Sequence, residues 1–125
     1  MEDYYKFLFS EGYINLVESN SSVNWNYYYI SRNSSIVWDT VQKHNNIPWN
    51  IDWLGENENI TWDIIKKHNN LKWSYYNLSR DKKIPGHVFD NKNVWSFYNL
   101  SSNSNLPYKI LEKNIHEEQW SYKRL

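Results

Sequence analysis

The chain says one phrase twice. "SSIVWDTVQKHNNIPW" (residues 34–49) and "NITWDIIKKHNNLKW" (residues 59–73) share W-D-x-[VI]-x-K-H-N-N at an offset of 24 residues, with Trp38 matching Trp62 and His44 matching His68. Such periodicity constrains the fold more than any local motif, because units of this size bury an apolar face only by stacking on one another. Units begun at Trp25, Trp49, Trp73 and Trp95, with a stub at Trp120, are spaced by 24, 24, 22 and 25 residues. Counting from each Trp, position +5 is aliphatic (Ile30, Leu54, Leu78, Leu100), as is +11 (Ile36, Ile60, Ile84, Leu106), and +6 is small (Ser31, Gly55, Ser79, Ser101).

Each unit also contains a shorter phrase twice: Asn or Ser, aliphatic, variable, aromatic. Asn46-Ile47-Pro48-Trp49 and Asn59-Ile60-Thr61-Trp62 are examples. Asn and Ser accept orphan backbone N–H groups at helix starts, and proline is tolerated in the first turn. The phrase therefore predicts two helix starts per unit, with helices near 25–30, 36–44, 48–54, 60–68, 73–78, 84–90, 95–100 and 106–113. Asp63 at one end of 60–68 and Lys66, Lys67 and His68 at the other suit the helix dipole. Helices this short are unstable alone and must pack on neighbours. The expected fold is all-α: a short α-solenoid of about four helix-turn-helix repeats (25–48, 49–72, 73–94, 95–119), with residues 1–24 and 120–125 as caps, in a single domain.

These phrases resemble the Trp-rich tandem repeats of giant, amoeba-infecting DNA viruses, which read roughly L-S-x-N-x-x-I-T-W-D-I-I-x-x-N-x-x-x-P-W-x-W. The match is close over 25–79 and looser over 80–125. It implies a repeat scaffold of viral origin, placed in the host cytoplasm or the virion, and no particular reaction. The composition agrees with an AT-rich genome: alanine is absent, Gly and Pro are scarce, and Asn, Ile, Lys and Tyr are abundant. The Trp codon runs against that bias, yet there are 8 Trp. Trp25, Trp38, Trp49, Trp62, Trp73 and Trp95 are accordingly assigned as structural anchors. Gly86 departs from the pattern, standing where Trp38 and Trp62 stand in the earlier units, beside a two-residue shortening.

Composition also excludes. The formal charge is zero and the pI about 6.9, so no whole-chain field favours nucleic acid or an anionic membrane. The first 71 residues hold 5 Lys/Arg and 9 Asp/Glu and the rest 9 and 5, a split too mild to name a partner. There is no cysteine, hence no disulfide or thiolate metal site. The acidic start without a long apolar run predicts no secretory signal, and no stretch approaches a membrane span. N-x-[ST] triplets at Asn20, Asn33, Asn59, Asn77 and Asn99 are what an Asn- and Ser-rich chain produces by chance.

No phosphate-binding glycine loop, nucleophile elbow or H-E-x-x-H is present; His116-Glu117-Glu118 lacks the second histidine. His44 and His68 read as helix C-terminal histidines rather than metal ligands, and Asp39 and Asp63 as helix N-terminal acids rather than an acid/base pair. The chain is expected to be no enzyme, with no cofactor and no metal. The leading expectation is a protein-binding repeat module with a host or viral protein as partner. The alternatives are a virion scaffold component and, less well supported, a single-stranded nucleic-acid binder, which would want a Lys/Arg stripe once per unit. Oligomeric state is not readable.

The candidate binding face follows from the first helices. Position +2 (Tyr27, Ile51, Tyr75, Phe97) is always apolar and is expected between units. Position +3 holds Tyr28, Asp52, Tyr76 and Tyr98; a column that accepts Asp52 is not dry core, so its tyrosines are expected in water on one side of the stack.

Overall fold

A computed structural model describes residues 2–91, 94–117 and 119–125. The order is α1 (Glu2–Ser19), α2 (Tyr27–Arg32), α3 (Trp38–Lys43), α4 (Ile51–Gly55), α5 (Trp62–Lys67), α6 (Tyr75–Leu78), a 3-10 helix (Gly86–Phe89), α7 (Phe97–Leu100) and α8 (Tyr108–Lys113). Among the described residues there is no strand, and no helix is long and apolar enough to cross a membrane. The architecture is all-α.

The helices begin two or three residues later than the phrase predicts, because the caps are different residues. Asn26, Asn50, Ser74 and Ser96, each just after the unit's Trp, accept backbone N–H groups of the first turns of α2, α4, α6 and α7. Second helices start from Val37, Thr61, Pro85 and Pro107, of which Thr61 caps with its side chain. The asparagines of the phrase serve elsewhere. Residues 84–90 form only a 3-10 turn. A Cβ on Gly86 would collide with the Asn105 carbonyl and touch Pro107. The shortening has closed the space an indole would fill, so Gly86→Trp is not accommodated.

Tryptophan does two jobs here. Its ring packs, and its indole N–H donates to the carbonyl that ends the preceding helix or turn. Trp49 bonds His44 O (2.9 Å), Trp73 bonds His68 O (2.9 Å) and Trp120 bonds Asn114 O (2.6 Å), all three acceptors being helix C-caps. Trp25 and Trp95 do the same to Asn20 O (3.0 Å) and Val88 O (2.8 Å).

Neighbouring units are joined by side chains that satisfy backbone groups across the gap. Ser31 Oγ donates to Tyr27 O and accepts from Asn50 N; Ser79 and Ser101 repeat this toward Ser96 N and Ser121 N, each amide at 2.9 Å. Buried Asn57 donates to Ser31 O and Asn33 O, and buried Asn103 to Ser79 O and Asp81 O, one unit back in each case. The unit between them has Asp81 at this position, and a carboxylate cannot donate. Lys83 takes over: its Nζ bonds Gly55 O (2.5 Å) and Asn57 O (2.9 Å), the equivalent carbonyls. Burial pushes the Lys83 ammonium below its usual range, opposed by the carboxylates of Asp81 and Glu56.

Ile30, Leu54, Leu78 and Leu100 are buried, with Ile36, Ile60 and Ile84, while Leu106 only packs against this core. α2 packs on α4 and α4 on α6, while α1 packs on α3. The tryptophans are unequal anchors. Trp73, Trp95 and Trp120 are buried, but Trp25, Trp38, Trp49 and Trp62 are half-buried against the core. Trp95 is the hub, meeting Trp62, Tyr75 and Phe89 at ring-centroid distances of 5.9, 5.4 and 4.9 Å.

Two stability measurements follow. Trp95→Ala is expected to cost roughly 3–5 kcal/mol in urea unfolding, and Trp62→Ala clearly less; equal costs would contradict this ranking. Lys83→Met strands two carbonyls and is expected to cost about 1–3 kcal/mol. The double change Asp81→Asn with Lys83→Asn restores the pair found at Asn57/Asn59 and Asn103/Asn105, and should recover most of that loss.

Candidate functional site

The cap at +1 and the buried aliphatic at +5 fix how each first helix is rotated. Position +3 must then face away from the core, and +7, one turn further along, shares its side. Tyr28, Tyr76 and Tyr98 are 55, 58 and 50 % exposed, and Asp52 is exposed. Position +2 behaves differently: Tyr27, Ile51 and Tyr75 are half-buried and Phe97 is buried. At +7 stand Arg32, Glu56, Arg80 and Ser102. First helices one and three thus present a Tyr–Arg pair, the second presents Asp52–Glu56, and the fourth presents Tyr98–Ser102. Arg124 supplies the missing guanidinium there. It lies 4.8 Å from the Tyr98 ring centroid and donates to Ser102 Oγ (2.5 Å) and Tyr98 O (3.4 Å).

Beside the tyrosines runs an open groove of about 820 Å3, lined by Arg32, Trp53, Glu56, Arg80, Lys82 and Ser102 among others. Trp53 links groove and tyrosines, its ring centroid 5.9 Å from Tyr28 and 5.5 Å from Tyr29, with the Arg32 guanidinium 5.7 Å away. Arg32, Arg80, Arg124 and Trp53 were not among the residues the sequence singled out. The signal lay in the +7 column, where Glu56 and Ser102 interrupt the arginines and hide the stripe.

His44 belongs to a different constellation. Its Nδ1 faces Glu18 Oε1 at 2.6 Å and its Nε2 faces Glu11 Oε2 at 2.9 Å, while Lys43 Nζ holds Glu11 Oε1 at 2.6 Å. The two ring nitrogens point in opposite directions, so this His and two Glu share no point where an ion would sit. No group of three or more His, Asp or Glu among the described residues fits a metal ion. The cluster clamps α1 to α3, helped by Ser10 Oγ accepting from Val37 N (3.2 Å) and by Ile14 and Val17 in the core. His68, the repeat-equivalent histidine, packs on Trp38 instead, centroids 4.9 Å apart. His116-Glu117-Glu118 ends outside the described residues. Asp39 and Asp63 are exposed in the first turns of α3 and α5; Asp63 pairs with Lys66 at 3.4 Å.

The chain matches no protein-family model, no curated protein and no solved structure.

The clamp makes α1 acid-sensitive. Burial alone would raise Glu11, but the Lys43 ammonium and the His44 ring bonded to it outweigh that and hold the carboxyl below its ordinary 4.5. A depressed carboxyl adds stability above its unfolded value and loses it as pH falls through the folded one. Stability is therefore expected to drop as the pH falls below 4.5, and Glu11→Gln should flatten that drop while lowering stability near neutrality. A Glu11→Gln variant with an unchanged acid-limb slope in urea titrations would show that the clamp contributes nothing.

Proposed function

We propose that this chain is a non-enzymatic protein–protein interaction module, built as a short α-solenoid of four helix-turn-helix repeats (25–48, 49–72, 73–94 and 95–119) and presenting the +3 edge of its first helices to a host or viral protein. The observation that carries this reading is the exposure of Tyr28, Tyr76 and Tyr98 on one edge while the +2 and +5 neighbours of each are packed. Tyrosine offers a large, stiff contact surface with a polar tip and is enriched at binding hot spots. A row of such rings costs solubility unless something uses it. Backbone bonding holds the row in place: Asn99 Nδ2 donates to Tyr76 O (2.8 Å) and Arg124 to Tyr98 O. The recurrent bonds from Ser31, Asn57, Ser79 and Asn103 to neighbouring units support the solenoid reading. The resemblance to Trp-rich viral repeats is what suggests a viral source.

The test is affinity purification of the tagged chain from infected host cells, with the captured protein quantified. Tyr76→Ala and Tyr98→Ala remove half-exposed rings, so each should change stability by about 1 kcal/mol or less. Both should lose the captured protein. Retention of that protein by a folded double variant would refute the tyrosine edge.

A further inference from the structure

The chain has three arginines, Arg32, Arg80 and Arg124, and two of them line one groove. Arg32 and Arg80 line it, and Arg124 is anchored on Ser102 at its wall. Their placement is not a demand of helix ends, since Glu56 and Ser102 hold the same +7 position in α4 and α7. Nor are the Arg32 and Arg80 guanidiniums consumed by the fold. Among the described residues Arg32 has no carboxylate within ion-pair distance and rests only near the Trp53 ring. Arg80 reaches Glu56 at 3.8 Å, too long for a fork-like pair, with its side chain half exposed. Lys82 lines the same groove, whereas Asp81 is occupied, accepting from Lys83 N (3.0 Å) and pairing with Lys83 Nζ (3.6 Å). A neutral chain thus carries a groove in which Arg32, Arg80 and Lys82 outnumber Glu56 and Asp81.

The groove's shape and lining narrow the ligand. It is open and runs past α4, α6 and α7, so it suits an extended chain rather than a compact anion. Asn77 and Ser104 offer polar groups suited to peptide amides, and Trp53 offers a flat apolar wall next to Arg32. A nucleic-acid strand carries a phosphate at every step and is poorly matched by Glu56 set between Arg32 and Arg80. A peptide carries carboxylates only at chosen positions, and a guanidinium takes each as a planar pair of hydrogen bonds.

We propose that the groove binds an extended acidic peptide segment of a protein partner, with Arg32 and Arg80 each receiving a carboxylate and Trp53 covering the stretch beside Arg32. This rests on the reading of the chain as a protein-interaction module and names the chemistry of what it binds. The probe is a fluorescein-labelled peptide of alternating Glu, Asp, Gly and Ser, followed by anisotropy at low salt. Its Gln/Asn counterpart and a labelled oligothymidylate are run in parallel. The acidic peptide should bind at least about tenfold tighter than either, and Arg32→Gln and Arg80→Gln should each weaken it about tenfold. Lys109→Gln, which removes the same charge outside the groove, should leave affinity within about twofold, since an exposed charge acts there only at long range. The arginine variants are exposed changes and should keep the wild-type urea midpoint, which separates lost binding from lost fold.

Equal binding of the Gln/Asn peptide, tighter binding of oligothymidylate, absence of binding by the acidic peptide, or an acidic-peptide affinity unchanged in Arg32→Gln/Arg80→Gln each overturns the proposal. Failure here with Tyr76→Ala and Tyr98→Ala still losing the captured protein removes the acidic ligand and keeps the interaction module. Arginine-dependent peptide binding with tyrosine variants that retain the captured protein does the reverse.

Discussion

The indole N–H bonded to a helix-ending carbonyl is the interaction on which the rest of this structure depends. Apart from α1, every helix here has between four and six residues. Helices of that length do not pay back their own nucleation, and their last carbonyls have no internal partners. Trp25, Trp49, Trp73, Trp95 and Trp120 each donate to a carbonyl at such an end, joining a turn N–H on Asn20, His44, His68 and Asn114, while driving a large ring into the seam before the next first helix. Phenylalanine has the ring without the donor, and a smaller polar residue has the donor without the ring. That double requirement explains why tryptophan is kept in a chain otherwise biased toward AT-rich codons.

Side-to-side cohesion uses a second chemistry, and its exceptions show how it works. Serine hydroxyls and asparagine amides reach between units for backbone groups that would otherwise be buried without partners. Where Asp81 removes an amide donor, Lys83 supplies an ammonium to the same carbonyls. Where Gly86 removes an indole, two residues are lost and the Asn105 carbonyl and the Pro107 ring close over it. Each irregularity is compensated within the same unit or by the unit that packs on it. What each column specifies is therefore a bond to be made rather than a residue to be kept.

Much of the helix order was legible, because the aliphatic columns repeat and a short helix has few ways to hide one side. The boundaries were not, because Asn and Ser are so abundant that several residues per unit satisfy the chemistry of a cap. Asn26 and Asn50 are the caps instead, each extended and directly after the unit's Trp, whose indole reaches the carbonyl behind it. The 18 residues of α1 escaped as a helix because Tyr4, Tyr5, Phe9 and Leu16 are exposed and blur its periodicity. The buried amides of Asn57 and Asn103 had no sequence signal beyond their column. The tyrosine edge was legible through one odd residue, Asp52. The arginine groove was not, since its cations come from α2 and from the turn after α6, and Glu56 breaks the +7 column between them.

The same bonds that unify the units also free two columns from structural duty. With the +1 cap, the +5 aliphatic and the +6 small residue fixed, a first helix has one permitted rotation, and +3 and +7 are left facing solvent. These columns are free to vary, and they do: Tyr, Asp, Tyr, Tyr at +3 and Arg, Glu, Arg, Ser at +7, beside a Trp column without exception. Drift alone would scatter the changes independently. In the first three units they change together, since the two acidic residues, Asp52 and Glu56, belong to one unit and the two Tyr–Arg pairs to the units on either side. Arg124 then restores a guanidinium against Tyr98 where the column itself offers Ser102. A uniform edge would let a ligand slide from unit to unit. Were the proposed acidic peptide to lie along it, an edge that reads Tyr–Arg, then Asp–Glu, then Tyr–Arg would fix its register, with an acid on the ligand facing each arginine and none facing Glu56.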